Sequence, residues 1–152
     1  MNTPQTLDQT TGLDPTKVVS RSSSGDDRVD RSAQSVLVVL AAGKGSRFGK
    51  RPKCAQPVGG VPLARHTIDA FRRVEAAPVV VVVGYAWKEV SSALGGENTY
   101  VLSDNPVGGT AYAVFESLSV PVIVDADPIV VIGMGDRIVP PSTFRALLKA
   151  HR

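Results

Sequence analysis

Short apolar runs alternate with amphipathic stretches along most of the chain, and this alternation begins at residue 35. Residues 1–34 are instead rich in Thr, Ser, Asp, Gln and Arg, and their apolar residues are scattered. A segment of this kind buries too little apolar surface to offset the entropy that its ordering would cost. The pattern therefore predicts a disordered polar tail over 1–34 and a folded unit over 35–152.

Four apolar runs, at 36–40, 78–83, 99–102 and 129–134, have the length and the β-branched composition of buried strands. Helical patterns follow at 62–74, 86–94, 110–118 and 143–151, the third ended by Pro121 and the fourth capped by Ser142. This alternation indicates an α/β fold, a Rossmann-like, mostly parallel sheet with helices on both faces. The last helix reaches the end of the chain and four strands leave raw sheet edges. We therefore expect the N-terminal portion of a larger, C-terminally truncated domain.

The composition restricts the partners and the compartment that we expect. The net charge of +3 is mild and the basic residues form no long stripe, which argues against nucleic acid as a partner. No apolar run is long enough to cross a bilayer, and the first residues lack the apolar centre of a signal peptide. We expect a cytoplasmic protein with no membrane contact. Lys53 would lower the thiol pKa of the single cysteine, Cys54, but an inert thiol is the simpler interpretation.

The loop after the first predicted strand carries the strongest chemical signal. It reads GKGSR over residues 43–47, and Lys53 follows closely. Glycines let the backbone approach a ligand and point N–H groups at it, and basic side chains add positive charge. The loop therefore predicts a site for nucleotide phosphates. The glycine spacing does not match a P-loop, and the next helix begins too late for a dinucleotide-binding fingerprint.

The stretch LAAGKGSRFGKRPK, residues 40–53, closely resembles the signature of the sugar-nucleotidyltransferases, Leu-Ala-Ala-Gly-x-Gly-Ser/Thr-Arg followed shortly by Pro-Lys. Within that family it is most similar to the N-acetylglucosamine-1-phosphate uridylyltransferases, the pyrophosphorylase part of a bifunctional enzyme. Weaker resemblances follow in the family's order, in VGGVPLARHTIDAF, VVVGY, GGTAYAVFES and VIGMGDRIVPP. Together they cover about residues 36–152. The resemblance implies a three-layer nucleotidyltransferase fold.

The resemblance also implies a set of functional residues. The implied nucleotide-binding residues are Leu40, Ala42, Gly43, Lys44, Gly45, Ser46, Arg47, Lys53, Gly109 and Thr110. Arg47 and Lys53 are also the implied catalytic residues, because they match the side chains that contact the triphosphate. Asp136 matches the aspartate that binds the Mg²⁺ cofactor.

The implied reaction moves a nucleotidyl group from a nucleoside triphosphate to a sugar 1-phosphate and releases pyrophosphate. The attacking phosphate is already ionised at neutral pH, so the reaction needs positioning and charge neutralisation rather than a general base. The most similar branch uses UTP and N-acetylglucosamine-1-phosphate in UDP-sugar biosynthesis.

Two departures from the family leave alternatives open. Asp104 and Val107 stand where the family has base-reading glutamines. A cytidylyltransferase or a guanylyltransferase, including one of the molybdenum-cofactor type, is therefore an alternative. The family's later half is absent, which leaves open a non-catalytic nucleotide-binding module, an inactive fragment, or a partner chain that supplies the missing half.

Overall fold

A four-stranded parallel sheet forms the centre of the protein. The computed structural model describes residues 35–43, 49, 51–105 and 108–152. The predicted tail over 1–34 lies outside these residues. The strands are β1 (Ser35–Ala41), β2 (Val79–Val83), β3 (Thr99–Leu102) and β4 (Ile129–Met134). The strand prediction is confirmed, and the bounds of β3 and β4 are those that the sequence predicts.

The strand order is β3-β2-β1-β4, and each neighbouring pair is parallel. Val39 of β1 lies opposite Val81 of β2 and Gly133 of β4, so β1 is paired on both sides. The chain runs from β1 outward through β2 and β3, and then returns to the other side of β1 for β4. In open α/β sheets, such a reversal of strand order opens a crevice at the carboxyl ends of the strands.

Helices cover both faces of the sheet, which confirms the predicted three-layer α/β fold. Their bounds are α1 (Leu63–Arg72), α2 (Trp87–Leu94), α3 (Gly109–Ser117), α4 (Pro121–Val124) and α5 (Pro141–His151). Leu37 and Val39 pack with α1, α2 and α5, while Val36 and Val38 pack with α3 and α4. Because successive strand residues point to opposite faces, the all-apolar β1 builds both cores. No helix within the described residues is long and apolar enough to cross a membrane.

Two predicted helix ends differ from the structure. Ser142 does not cap α5, because the helix begins at Pro141 and its N-cap residue makes no side-chain hydrogen bond. A proline suits the first helical position, where its missing N–H would have no helical partner. Pro121 does not end α3, which stops at Ser117; it begins the separate helix α4.

A short ordered segment lies between the described residues at the end of β1 and the start of α1. It consists of a 3₁₀ helix, Lys53–Ala55, and a hairpin that pairs Pro57–Val58 with Val61–Pro62. Gly59 and Gly60 form the turn, with φ of 59° and 82°. Two successive left-handed residues are what a two-residue hairpin turn requires. The segment brings Lys53 to the edge of the sheet before the chain enters α1.

The outer side of β4 has no strand partner among the described residues. Ile132 and Met134 on this strand are 50% and 42% exposed, and Val124 of the nearby helix layer is 61% exposed. Among the described residues no further strand pairs with this apolar edge, although natural sheets ordinarily protect such edges. In this respect the sheet resembles part of a larger one.

Candidate functional site

An open cleft of about 610 Å³ lies at the carboxyl end of the sheet. This volume is within the range of small-molecule sites. All four strands contribute to its wall at or just after their carboxyl ends. The lining residues there are 40–43 for β1, Gly84 and Tyr85 for β2, Ser103 and Asn105 for β3, and 134–136 for β4. The cleft therefore occupies the crevice that the reversal of strand order creates.

The end of β1 forms the floor of the cleft. Leu40, Ala42 and Gly43, all predicted to bind the nucleotide, line it. A Cβ added to Gly43 would meet no atom of the described residues within 4 Å, so this part of the cleft is open toward the Gly43 backbone. Lys44, Gly45, Ser46 and Arg47 follow immediately, but these four predictions lie outside the described residues.

The 3₁₀ helix contributes Lys53 and Cys54 to the wall of the cleft. The Cys54 thiol is 5% exposed, and its Sγ lies 3.8 Å from the Ala41 carbonyl oxygen. Burial raises the pKa of this thiol to about 11. This result supports the inert thiol over a thiol activated by Lys53, because desolvation of the thiolate dominates. Cys54 packs beneath the cleft as a small apolar side chain.

Asp136 reaches the cleft because Gly135 lets β4 approach β1 closely. The Gly135 N–H donates to the Leu40 carbonyl oxygen at 2.9 Å. A Cβ on Gly135 would lie 2.9 Å from that oxygen and 3.2 Å from the Cys54 Cβ, which is too close for a side chain. The Asp136 carboxylate is 40% exposed, and its Oδ1 lies 3.9 Å from Arg137 Nε. It thus remains accessible to a ligand in the cleft.

The donor atoms of the cleft fit Mg²⁺ held together with a phosphate ligand. Asp136 offers hard carboxylate oxygens, and no group of three or more His, Cys, Asp or Glu side chains among the described residues could hold a metal by itself. Mg²⁺ is commonly bound by one or two carboxylates, with substrate phosphates and waters completing its octahedron. A closed, zinc-type site does not fit this donor set.

The loop between β3 and α3 forms the opposite wall. Gly109, with φ of 70°, and Thr110 line the cleft at the start of α3. Asp104 does not line it; its Oδ1 accepts a 3.1 Å hydrogen bond from the Tyr112 hydroxyl, and its N–H donates to Glu116 Oε1 at 3.2 Å. Asp104 is thereby directed toward α3. Val107 lies outside the described residues.

Several cleft residues were not predicted from the sequence, and those with hydroxyl or amide side chains are Tyr85, Ser103 and Asn105. Each directly follows a strand or lies within three residues of its end. Polar or aromatic side chains just after parallel strands are a usable signal, because those positions meet at one edge of the sheet. The resemblance directed attention to Asp104 and Val107 instead.

Residues 37–152 match the family model described as a MobA-like NTP transferase domain. The chain belongs to this family. Membership makes it a nucleotidyltransferase domain with a nucleoside triphosphate as the implied substrate, which confirms the prediction at this level.

Curated relatives of this NTP transferase domain include the bifunctional protein GlmU of Listeria innocua. It is 35% identical over 116 residues, which are 75% of this chain and 25% of GlmU. The chain thus spans about a quarter of the length of the curated relatives that it matches.

Solved structures support the fold over part of their chains. Rv0371c from Mycobacterium tuberculosis H37Rv superposes with a TM-score of 0.64 at 25% identity, covering 78% of this chain and 61% of that one. A nucleotidyl transferase from Methanothermobacter gives 0.62 at 26% identity, over 76% and 57% of the two chains. The four-stranded sheet and its helices therefore correspond to more than half of each of these two chains.

Proposed function

We propose that the protein transfers a nucleotidyl group from a nucleoside triphosphate to a sugar 1-phosphate, with release of pyrophosphate. One observation carries the proposal: the described residues that the resemblance implies for nucleotide and metal binding all line one cleft. They come from β1, the 3₁₀ helix, α3 and the loop after β4, which are far apart in the chain. Chance would not collect residues of these types at the sheet edge where α/β proteins bind ligands.

The phosphates bind, in this proposal, between Lys53 and the loop that follows β1. Lys53 supplies a positive point charge at the wall of the cleft, and the open backbone at Gly43 admits a phosphate close to N–H groups. Arg47 carries the second cationic contact, as the resemblance implies. Its planar guanidinium suits two phosphate oxygens at once. Both side chains would neutralise charge that develops on the leaving pyrophosphate.

Asp136 is the residue that would hold Mg²⁺ beside the triphosphate. The ion would neutralise phosphate charge and orient the α-phosphate for in-line attack. Neither a histidine nor a second carboxylate lines the described wall of the cleft. A sugar phosphate needs no general base, because it is already ionised at neutral pH. The lining therefore suits phosphoryl chemistry that depends on positioning and electrostatics.

UTP and N-acetylglucosamine-1-phosphate are the specific substrates that we propose, on the strength of the similarity to GlmU over 116 residues. The loop between β3 and α3, which the resemblance assigns to the base, favours a second candidate, a cytidylyl- or guanylyltransferase. Asn105 lines the cleft where the resemblance anticipated Asp104, and an amide can both donate to and accept from a base. We propose a cytoplasmic location for either enzyme.

The unpaired edge of β4 supports a further part of the proposal, namely that residues 35–152 are the N-terminal portion of the catalytic domain. Ile132 and Met134 are exposed there, and the match covers only 61% and 57% of the two solved chains. We propose that additional strands, from a continuation of the chain or from a partner chain, pair with β4 and enclose the sugar.

A transfer assay with α-³²P-labelled UTP, CTP, GTP or ATP, Mg²⁺ and a panel of sugar 1-phosphates tests the proposed reaction. We expect a nucleotide-sugar product with one base preferred, and loss of product in Asp136→Asn and Lys53→Gln. Asp125→Asn and Lys149→Gln are matched controls, because both side chains are exposed and neither lines the cleft. Product formation that survives Asp136→Asn would contradict the metal assignment. Absence of both product and saturable nucleotide binding with all four bases would contradict the reaction.

A further inference from the structure

The hydroxyl of Thr67 joins helix α1 to the loop that follows Asp136. Thr67 is fully buried, with 0% exposure. Its Oγ1 donates to the Arg137 carbonyl oxygen at 2.6 Å and accepts from the Val139 N–H at 3.2 Å. Both partners lie about 70 residues away in the chain, so these bonds are tertiary contacts between two elements.

This use of a helical threonine is unusual. A threonine hydroxyl within a helix commonly bonds to a carbonyl of the preceding turn. Here the Thr67 hydroxyl donates one hydrogen bond to the loop that follows Asp136 and accepts another from it. Its methyl group faces Gly133, where an added Cβ would lie 3.7 Å from Cγ2, so the strand and the loop together favour one rotamer.

Two anchors therefore bracket Asp136. On one side, the Gly135 N–H is bound to the Leu40 carbonyl oxygen of β1 at 2.9 Å. On the other side, the Arg137 carbonyl is bound to Thr67, and the side chain of Val139 packs against the core. Backbone hydrogen bonds directly before and after a residue restrict its φ and ψ, and hence the direction of its side chain.

We propose that Thr67 is a positioning residue that aims the Asp136 carboxylate at the metal–nucleotide complex, and this rests on the proposed function. Thr67 does not line the cleft. Thr67 orients Asp136 through hydrogen bonds to the loop backbone. Residues that do not touch the metal commonly orient a metal ligand by hydrogen bonds. Asp136 is the one carboxylate among the described residues that line the cleft, so no second carboxylate of this described lining compensates an error in its direction.

The test compares nucleotide affinity in excess Mg²⁺ with affinity in EDTA, measured by calorimetry on the full chain with UTP, CTP, GTP or ATP, whichever binds most tightly. The ratio of the two affinities reports the coupling between metal and nucleotide. Thr67→Val keeps the shape of the side chain and removes both hydrogen bonds, while Thr67→Ser retains the hydroxyl. Ile68→Val, the adjoining buried position of α1, removes a methyl group and touches no hydrogen bond.

We expect Thr67→Val to reduce the Mg²⁺-dependent gain in nucleotide affinity about tenfold. This is the lower end of the range for residues that orient a metal ligand without touching the metal. Affinity in EDTA should stay close to that of the wild type, and Thr67→Ser should recover most of the gain. Ile68→Val should lower the melting temperature without changing the ratio. A ratio unchanged in Thr67→Val, with only the melting temperature lowered, would overturn the positioning role alone. Absence of any Mg²⁺-dependent gain in the wild type would overturn the proposed function and this role with it.

Discussion

Replacing Gly135 by alanine should disrupt both the fold and the site, because no room exists for a Cβ there. The added atom would lie 2.9 Å from the Leu40 carbonyl oxygen, 3.2 Å from the Cys54 Cβ and 3.3 Å from the Ala41 Cβ. Two of these neighbours belong to the central strand β1, which is hydrogen-bonded on both sides and cannot move without disturbing β2. The strain must therefore be relieved by displacing β4 and the loop that carries Asp136.

Overpacking of this kind typically costs about 1–3 kcal/mol. For a domain of this size that corresponds to a loss of roughly 4–12 °C in Tm, taking about 4 °C per kcal/mol. The same displacement should weaken nucleotide binding in Mg²⁺, since the Gly135 N–H bond to Leu40 helps to fix Asp136.

Two glycines provide matched controls for this substitution. A Cβ on Gly96 would meet no atom within 4 Å, and Gly96 does not line the cleft, so Gly96→Ala should leave both Tm and binding unchanged. Gly43→Ala should leave Tm unchanged and weaken nucleotide binding, because Gly43 lines the cleft with open space above it. Thermal melts followed by circular dichroism, together with nucleotide titrations in Mg²⁺, distinguish the three cases. A Gly135→Ala variant that melts with the wild type would refute the close packing between β4 and β1.

Three further predictions follow from other parts of the molecule. Because the pKa of Cys54 is raised by burial from 9.0 to about 11, the folded state holds its proton more tightly than the unfolded state. Stability should therefore fall as pH rises from 9 to 11, and urea titrations should show a smaller fall for Cys54→Ala. Removal of residues 1–34 should leave Tm unchanged, and a large drop would mean that the tail is structural. Turnover by the 152-residue chain alone should stay below about 1 per second, since an acceptor that is not enclosed loses much of the 7–11 kcal/mol that proximity can supply. Faster turnover that Asp136→Asn abolishes would contradict the proposed incompleteness and support the metal assignment.

The sheet could be predicted from the sequence because its strands are buried on both faces. The run of valines at Val79–Val83 has no amphipathic alternation that a helix could use, and all five residues are buried. Such runs are typical of parallel strands covered by helices. Helix ends were less predictable. Ser142 has the right side chain for a cap, yet the preceding proline already provides the first helical residue.

Cleft residues within a local sequence motif could be predicted. Cleft residues whose position depends on tertiary contacts could not. The resemblance at residues 40–53 and at Gly135–Asp136 led to residues that line the cleft. The resemblance could not show that Asp104 turns toward Tyr112 while Asn105 lines the cleft, because that choice depends on hydrogen bonds to α3. No sequence signal marks Thr67, since its partners lie about 70 residues away.

Titration calorimetry of the full chain with the four nucleoside triphosphates in Mg²⁺ tests the central claim most directly. We predict saturable binding of one base in preference to the others. Lys53→Gln should weaken it by about 1.5–3 kcal/mol, or roughly 10- to 150-fold, if Lys53 makes a charged hydrogen bond to phosphate. Lys149→Gln should bind like the wild type. A folded sample that binds none of the four nucleotides, or binds one equally well without Lys53, would contradict the assignment of this cleft.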